Sequence, residues 1–238
     1  MQDQIEMLSK HIDFLKSLDT EEFYNKDEDE VRGYAHETLQ ECIQLGYRAT
    51  SGLIQLLQTE FTWSCFFALN ILREIKDPQA VPSIIDFLIK ESDDSMANEE
   101  AMFALQDIGD SSIAPIIENL EDAFDNKKYY SYLVGALTGI ISSISYSFMI
   151  KITKDFINKS WRYKGWFHIA DFTYNFVKQG RSDVIPLLKQ ILDMKMISRE
   201  EKRELEDTIQ ALESPERFEK KSQEIAKELV KSAQTFDV

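Results

Sequence analysis

Glycine and proline are scarce in this chain, with 8 and 5 among 238 residues. Long loops and tight hairpins therefore have little material to form from. Cysteine is scarcer still. Cys42 and Cys65 offer neither a disulfide framework nor a metal-ligand spacing. Both fall at apolar positions of expected helices, where a buried free thiol is the ordinary reading and a reducing, cytoplasmic setting is the expectation. Histidine occurs only as His11, His36 and His168, which is poor material for a metal site. There is no glycine-rich phosphate loop, no Gly-x-Ser-x-Gly elbow and no Cys-His constellation. The first twenty-five residues lack a basic start followed by an apolar run, so no secretory signal is read.

Positive charge is missing from one half. Residues 1–125 hold 8 Lys+Arg against 27 Asp+Glu, whereas 126–238 hold 19 against 15. An acidic half repels phosphate backbones and attracts basic partners; it also keeps a protein in solution without any partner. Charge is absent altogether from Tyr129 to Ile150, a 22-residue run long enough to span a bilayer. That run holds five serines, four tyrosines, two glycines and a threonine, and Ser142-Ser143-Ile144-Ser145 reads as a turn. Two buried helices are expected there and no membrane span.

What the chain does have is a repeat. Ala68-Leu69-Asn70-Ile71-Leu72-Arg73-Glu74-Ile75-Lys76-Asp77 returns thirty-three positions later as Ala101-Met102-Phe103-Ala104-Leu105-Gln106-Asp107-Ile108-Gly109-Asp110. Each copy runs into a matching second segment, Ser83 to Leu88 and Pro115 to Leu120. Ala35 precedes Ala68 by the same interval. Apolar spacing predicts an N-terminal helix over 3–18 and an unpatterned acidic loop over 20–30. Helical pairs follow at about 31–57, 61–91, 95–124, 127–158 and 160–195. Pro115 and Pro186 are expected in the first turns of their helices. Ser198 and Glu201 have the spacing of a capping box, and a last helix is expected over about 216–235, with Phe218, Ile225 and Leu229 on one side.

The Ala-x-x-Ile/Ala-Leu helix, the Ile-x-Asp turn and the Val/Ile-x-x-Ile-Ile helix resemble HEAT repeats of the short kind first noted in phycobilisome lyases. The resemblance implies an all-α, right-handed α-solenoid of about five helical pairs, an armadillo/HEAT-type superhelix with helical caps at both ends. It implies one domain over 1–238: a cap helix and acidic loop in 1–27, repeats in 28–195 and capping helices in 196–238. In that family the turn aspartate, here Asp77 and Asp110, caps the second helix.

Chemistry is sparse. His36-Glu37 is similar to one half of the His-Glu pairs of HEAT-type di-iron hydroxylases, but no second pair occurs, and no metal or cofactor is expected. Trp161-Arg162-Tyr163-Lys164-Gly165-Trp166 followed by Asp171 is the nearest analogue of the site of HEAT-like DNA glycosylases. The net charge of −15 disfavours nucleic acid as a partner. Of 27 aromatic residues, 13 fall between Tyr129 and Phe176. They either fill a widened core or build a binding surface in which Trp161, Arg162, Tyr163 and Trp166 serve as anchors. In the family's geometry the second helices line the concave side, which puts Gln55, Asp86, Glu118, Lys151 and Lys189 in one column. The expectation is a non-enzymatic module that docks a protein or peptide of basic character on this ridge. Asp86 and Glu118 would take its positive groups. The alternative is an enzyme of the lyase or modifying kind, with a pocket in 129–176 using Tyr163, His168 or Asp171. Oligomeric state is not legible.

Overall fold

A computed structural model describes residues 2–57, 62–90, 96–123, 127–163 and 167–216. Among these residues every regular element is helical. The expected helix over 216–235 falls, beyond its first residue, outside the described residues, and so does Trp166. The chain divides into two compact units, Met1–Ile140 and Ile141–Val238. The division cuts the expected fourth pair, at the end of the first of its two helices.

In unit 1, α1 (Gln2–Ser17) buries Ile12 and Leu15. The acidic stretch after it is not the loop expected over 20–30. It forms a one-turn helix α2 (Glu21–Tyr24), and α3 (Glu28–Leu45) starts inside it. The reason is capping: the Asp27 carboxylate accepts from the Glu30 N–H at 2.8 Å, and Glu28, Asp29 and Glu30 fill the first turn. There, negative charge meets the positive end of the helix. The remaining elements are α4 (Thr50–Leu56), α5 (Trp63–Ile75), α6 (Val81–Lys90), α7 (Met96–Ile108), α8 (Asp110–Ala123) and α9 (Lys127–Gly139).

First helices pack on first helices in chain order, α3 on α5, α5 on α7 and α7 on α9. Second helices fill a second layer, with α4 against α5, α6 against α7 and α8, and α8 against α9. The thirty-three-residue echo becomes a row of buried alanines, Ala35, Ala68 and Ala101, each 0% exposed. Polar side chains also tie the first helices together. Arg32 of α3 donates to Asn70 of α5 at 2.9 Å. Arg73 of α5 reaches Glu100 at 3.3 Å and Asp107 at 2.5 Å, both on α7. Gln106 of α7 donates to the Gly135 carbonyl of α9 at 3.0 Å.

The helices also stop alike. α5 is followed by Lys76 at φ 57° and α7 by Gly109 at φ 81°, equivalent positions of the repeat. A left-handed residue there ends the helix; glycine adopts it without strain and lysine does not. Asp77, 4% exposed, then accepts from the Gln79 N–H at 3.0 Å and opens the turn Pro78–Ala80 that runs into α6. Asp110 is exposed and is itself the first residue of α8. Because α8 starts without a preceding turn, Pro115 sits inside the helix rather than in its first turn as expected. Its missing N–H leaves the Ser111 carbonyl without the usual helical donor.

Unit 2 contains α10 (Ser143–Lys159), α11 (Ile169–Gln179), α12 (Ile185–Leu192) and α13 (Arg199–Glu213). α10 packs on α11 and α12, and α13 packs on the same two. The uncharged run 129–150 is thus shared by α9 and α10. Ser142 caps α10 by accepting from the Ser145 N–H at 3.0 Å. No described helix is long and apolar enough to cross a membrane. Pro186 falls in the first turn of α12, as expected. The capping box of α13 is complete, with Glu201 N–H to Ser198 Oγ at 3.1 Å and Ser198 N–H to Glu201 Oε2 at 3.0 Å. The core is a run of rings: Phe156, Tyr163, Phe167, Phe172, Phe176 and Tyr146, each neighbouring pair 5.3–6.1 Å apart.

Candidate binding surfaces

The second-helix layer of unit 1 presents Gln55 on α4, Asp86 on α6 and Glu118 on α8, all exposed. Their apolar neighbours Leu53, Ile84, Ile85 and Ile116 are buried, so helical periodicity turns these polar positions outward. α6 and α8 pack side by side, and Asp86 and Glu118 therefore share one layer. Neither carboxylate has a hydrogen bond or an ion pair among the described residues. Along α4, α6 and α8 the sole basic residue is Lys90. The first-helix layer differs. There, Glu28 pairs with Arg32 at 2.6 Å, and Glu100 and Asp107 share Arg73. Burial nonetheless leaves the Glu100 carboxyl above its ordinary pKa, because desolvation outweighs the pull of Arg73.

In unit 2, Lys151 on α10 and Lys189 on α12 are both exposed. Lys189 is already engaged by Glu213 of α13 at 2.8 Å. Of the aromatic motif, Tyr163 does not lie on the surface expected of it. Tyr163 is 2% exposed and packs against Phe156 and Phe167, with its hydroxyl donating to Asp155 at 2.8 Å. It is a core residue, because a phenol buries a ring once its O–H has found an acceptor. Burial pulls the Asp155 carboxyl up, but hydrogen bonds from Lys159 and Tyr163 and the charges of Lys159 and Arg162 outweigh it. They hold that group below the ordinary range. Arg162 is half-buried, 3.9 Å from Asp155. Trp161 lies in the turn Ser160–Arg162, and His168, exposed, precedes α11.

A second polar cluster in unit 2 links Tyr146, Asp183 and Arg181. The Tyr146 hydroxyl donates to Asp183 at 2.8 Å, and the Arg181 guanidinium lies 4.2 Å from the Tyr146 ring centroid. Burial, then the Asp183 carboxylate, pushes the phenol up to about 12. These groups are mutually satisfied. Among the described residues no three His, Cys, Asp or Glu side chains come together as a metal site would require. His36 and Glu37 are exposed on α3. Cys42 and Cys65 are buried free thiols, and burial pushes Cys42 up to about 11.

A feature that the residue pattern did not reveal is a cavity of about 580 Å³ in unit 1. Leu18, Asp19, Thr20, Glu21, Lys26, Asp27, Glu28, Thr62, Trp63 and Met96 line it, and residues 129–176 do not contribute. It opens where α2, α3, α5 and α7 begin. The Asp19 carboxylate accepts from the Ser64 N–H at 2.9 Å and the Ser64 hydroxyl at 2.6 Å, so it caps α5 from outside that helix. The Trp63 indole N–H donates to the Phe23 carbonyl at 2.9 Å and fastens α2 in place. The signal lay in the cap-type residues Asp19, Thr20, Asp27 and Thr62, but which helix ends meet is decided by packing.

Set against protein families, residues 98–122 match the PBS lyase HEAT-like repeat. The match covers most of α7 and nearly all of α8, where the echo is tidiest, and this stretch is a HEAT-like repeat. No curated protein matches the chain.

Proposed function

We propose that this chain is a non-enzymatic helical-repeat scaffold that docks a protein or peptide of basic character along the second helices of its acidic half. The repeats would stack as about five pairs between helical caps, with those second helices on the concave side. One observation carries the reading. Asp86 and Glu118 stand exposed on adjacent packed helices, neither in an ion pair among the described residues, although Lys90 lies one turn on from Asp86. Arg32 and Arg73 of unit 1, by contrast, are engaged on and between first helices. Carboxylates held in a row on a rigid scaffold attract and orient a positively charged partner without having to be ordered first. Solenoids bind extended partners on surfaces of this kind. Lys189, tied to Glu213, and Tyr163, buried, contribute little. Buried free thiols suit a reducing compartment such as the cytoplasm.

The test is capture from native lysate by the parent chain and by Asp86→Lys/Glu118→Lys, each at low and moderate salt. Both positions are exposed, so circular dichroism and thermal midpoint are expected to be unchanged. The parent should retain a set of basic proteins that salt and the double substitution both release. Retention of the same set by both chains overturns the ridge.

A further inference from the structure

The cavity at the head of unit 1 shares no residue with the ridge, and its lining is of two kinds. Leu18, Trp63 and Met96 make an apolar wall, whereas Asp19, Glu21, Asp27 and Glu28 bring carboxylates. Lys26 is the one cation in the lining, and its charge is held by Glu30. Three of the carboxylates already have duties: Asp19 on Ser64, Asp27 on the N–H of Glu30 and Glu28 on Arg32. Glu21 is exposed and has no hydrogen bond or ion pair among the described residues. Met96, 46% exposed, is the most exposed apolar residue of the lining.

Each class of occupant can be weighed by its chemistry. An anion meets four carboxylates, one lysine already held by Glu30 and the partial positive charge of helix ends, two of which are already capped by Asp19 and Asp27. A neutral apolar group would take the wall but strip water from carboxylates and return nothing. A polyamine carries charges along its length, and these would have to lie against Leu18, Trp63 and Met96. A free amino acid would bring its own carboxylate into the acidic rim. A long side chain with an apolar stem and a terminal cation, projecting from a peptide backbone outside, satisfies both linings. The volume of about 580 Å³ falls in the range of pockets that enclose such groups.

We propose that this cavity is a receptor for the arginine or lysine side chain of a basic peptide, with Trp63, Leu18 and Met96 along its stem and Glu21 at its head. The site stands or falls independently of the ridge. Trp161→Phe/Trp166→Phe leaves Trp63 as the remaining tryptophan, and its emission reports on the cavity. The probe is a blocked pentapeptide, Gly-Ser-Arg-Ser-Gly, alongside its citrulline analogue, which is isosteric and uncharged. The arginine peptide is expected to give a saturable change in Trp63 emission that the citrulline peptide does not. Glu21→Gln should weaken it about threefold, the scale of one exposed charge pair. Met96→Arg, which supplies its own cation to the lining, should abolish it. Asp86→Lys/Glu118→Lys should bind as the parent does, so that failure of the ridge and failure of the cavity are told apart. Calorimetry on the unsubstituted chain repeats the titration in case the tryptophan variant folds poorly. Equal binding of the citrulline peptide overturns the proposal. So does unchanged binding by both Glu21→Gln and Met96→Arg, or a linear polyamine binding as tightly as the peptide.

Discussion

Unit 1 joins its first helices with polar side chains, whereas unit 2 fills its interior with rings. In unit 1, Arg32 to Asn70, Arg73 to Glu100 and Asp107, and Gln106 to Gly135 form a ladder in which Arg73 and Gln106 hold equivalent positions of the repeat. In unit 2, Tyr146, Phe156, Tyr163, Phe167, Phe172 and Phe176 touch ring to ring, and polar groups such as Asp155 and Asp183 serve phenol hydroxyls at the edge. The two solutions differ physically. A polar ladder is directional and keeps successive repeats in register, at modest net gain per bond. Aromatic packing is larger in energy and tolerates irregular geometry. Rings occur in unit 1 as well, Trp63, Phe66 and Phe67 on the single helix α5; the echo fades where rings from several elements do the packing.

The sharpest way to break this comparison is to empty each core. Phe156→Ala in unit 2 and Phe67→Ala in unit 1, both fully buried, should each lower unfolding free energy by about 3–5 kcal/mol in denaturant melts. A loss below about 1 kcal/mol for Phe156 would mean that the rings are not the core of unit 2.

Next in size is the ladder. Arg73→Ala should cost about 1–3 kcal/mol, because it leaves Glu100 partly desolvated without its cation. The sign with pH follows from Glu100. Its folded pKa already lies above the ordinary value, so the folded state holds the proton more tightly than the unfolded chain. Stability contributed by this group is therefore present below the unfolded pKa and declines as pH rises through the folded one. Removing Arg73 enlarges that term, so the variant should recover part of its loss on moderate acidification, and Arg73→Ala/Glu100→Gln should not. A flat pH profile for the single variant would show that Glu100 does not depend on Arg73.

Smaller again is the helix stop. Lys76→Gly should stabilise by about 0.5–1 kcal/mol, since lysine holds φ 57° at a steric cost that glycine avoids. Gly109→Ala should destabilise by about 1 kcal/mol for the converse reason. Equal thermal midpoints for Lys76→Gly and parent would contradict this account. The smallest effect is on Cys42 and Cys65. Both are buried and free, with Cys42 raised to about 11, and labelling by a thiol reagent near neutral pH should be slow until denaturant opens the fold.

Much of the helical layout was legible because its causes are local. Apolar spacing placed α3, α5 and α7, and the Ser198–Glu201 pair announced the box that caps α13. The acidic stretch at 20–30 misled because Asp27 acts as a cap rather than as part of a loop. Pro115 misled because α8 begins one element earlier than α6 does relative to its aspartate. The exposure of Asp86 and Glu118 was legible from the repeat, since helical periodicity alone turns them outward. Tyr163 was not, because an aromatic beside Arg162 and Lys164 looks the same in sequence whether its ring points in or out.

The amino-acid sequence by itself determined that this chain is helical, that α5–α6 and α7–α8 repeat one pattern, and that negative charge gathers in the first half. Those properties depend on composition and on residues within a turn or two of each other. Tertiary structure alone decided which charges are answered and which stand free. Arg73 meets Asp107 across 34 positions, and Asp19 meets Ser64 across 45. It also placed Tyr163 in the core and brought four helix starts together around one cavity. Contacts at those separations depend on how whole helices pack, and no local spacing encodes them.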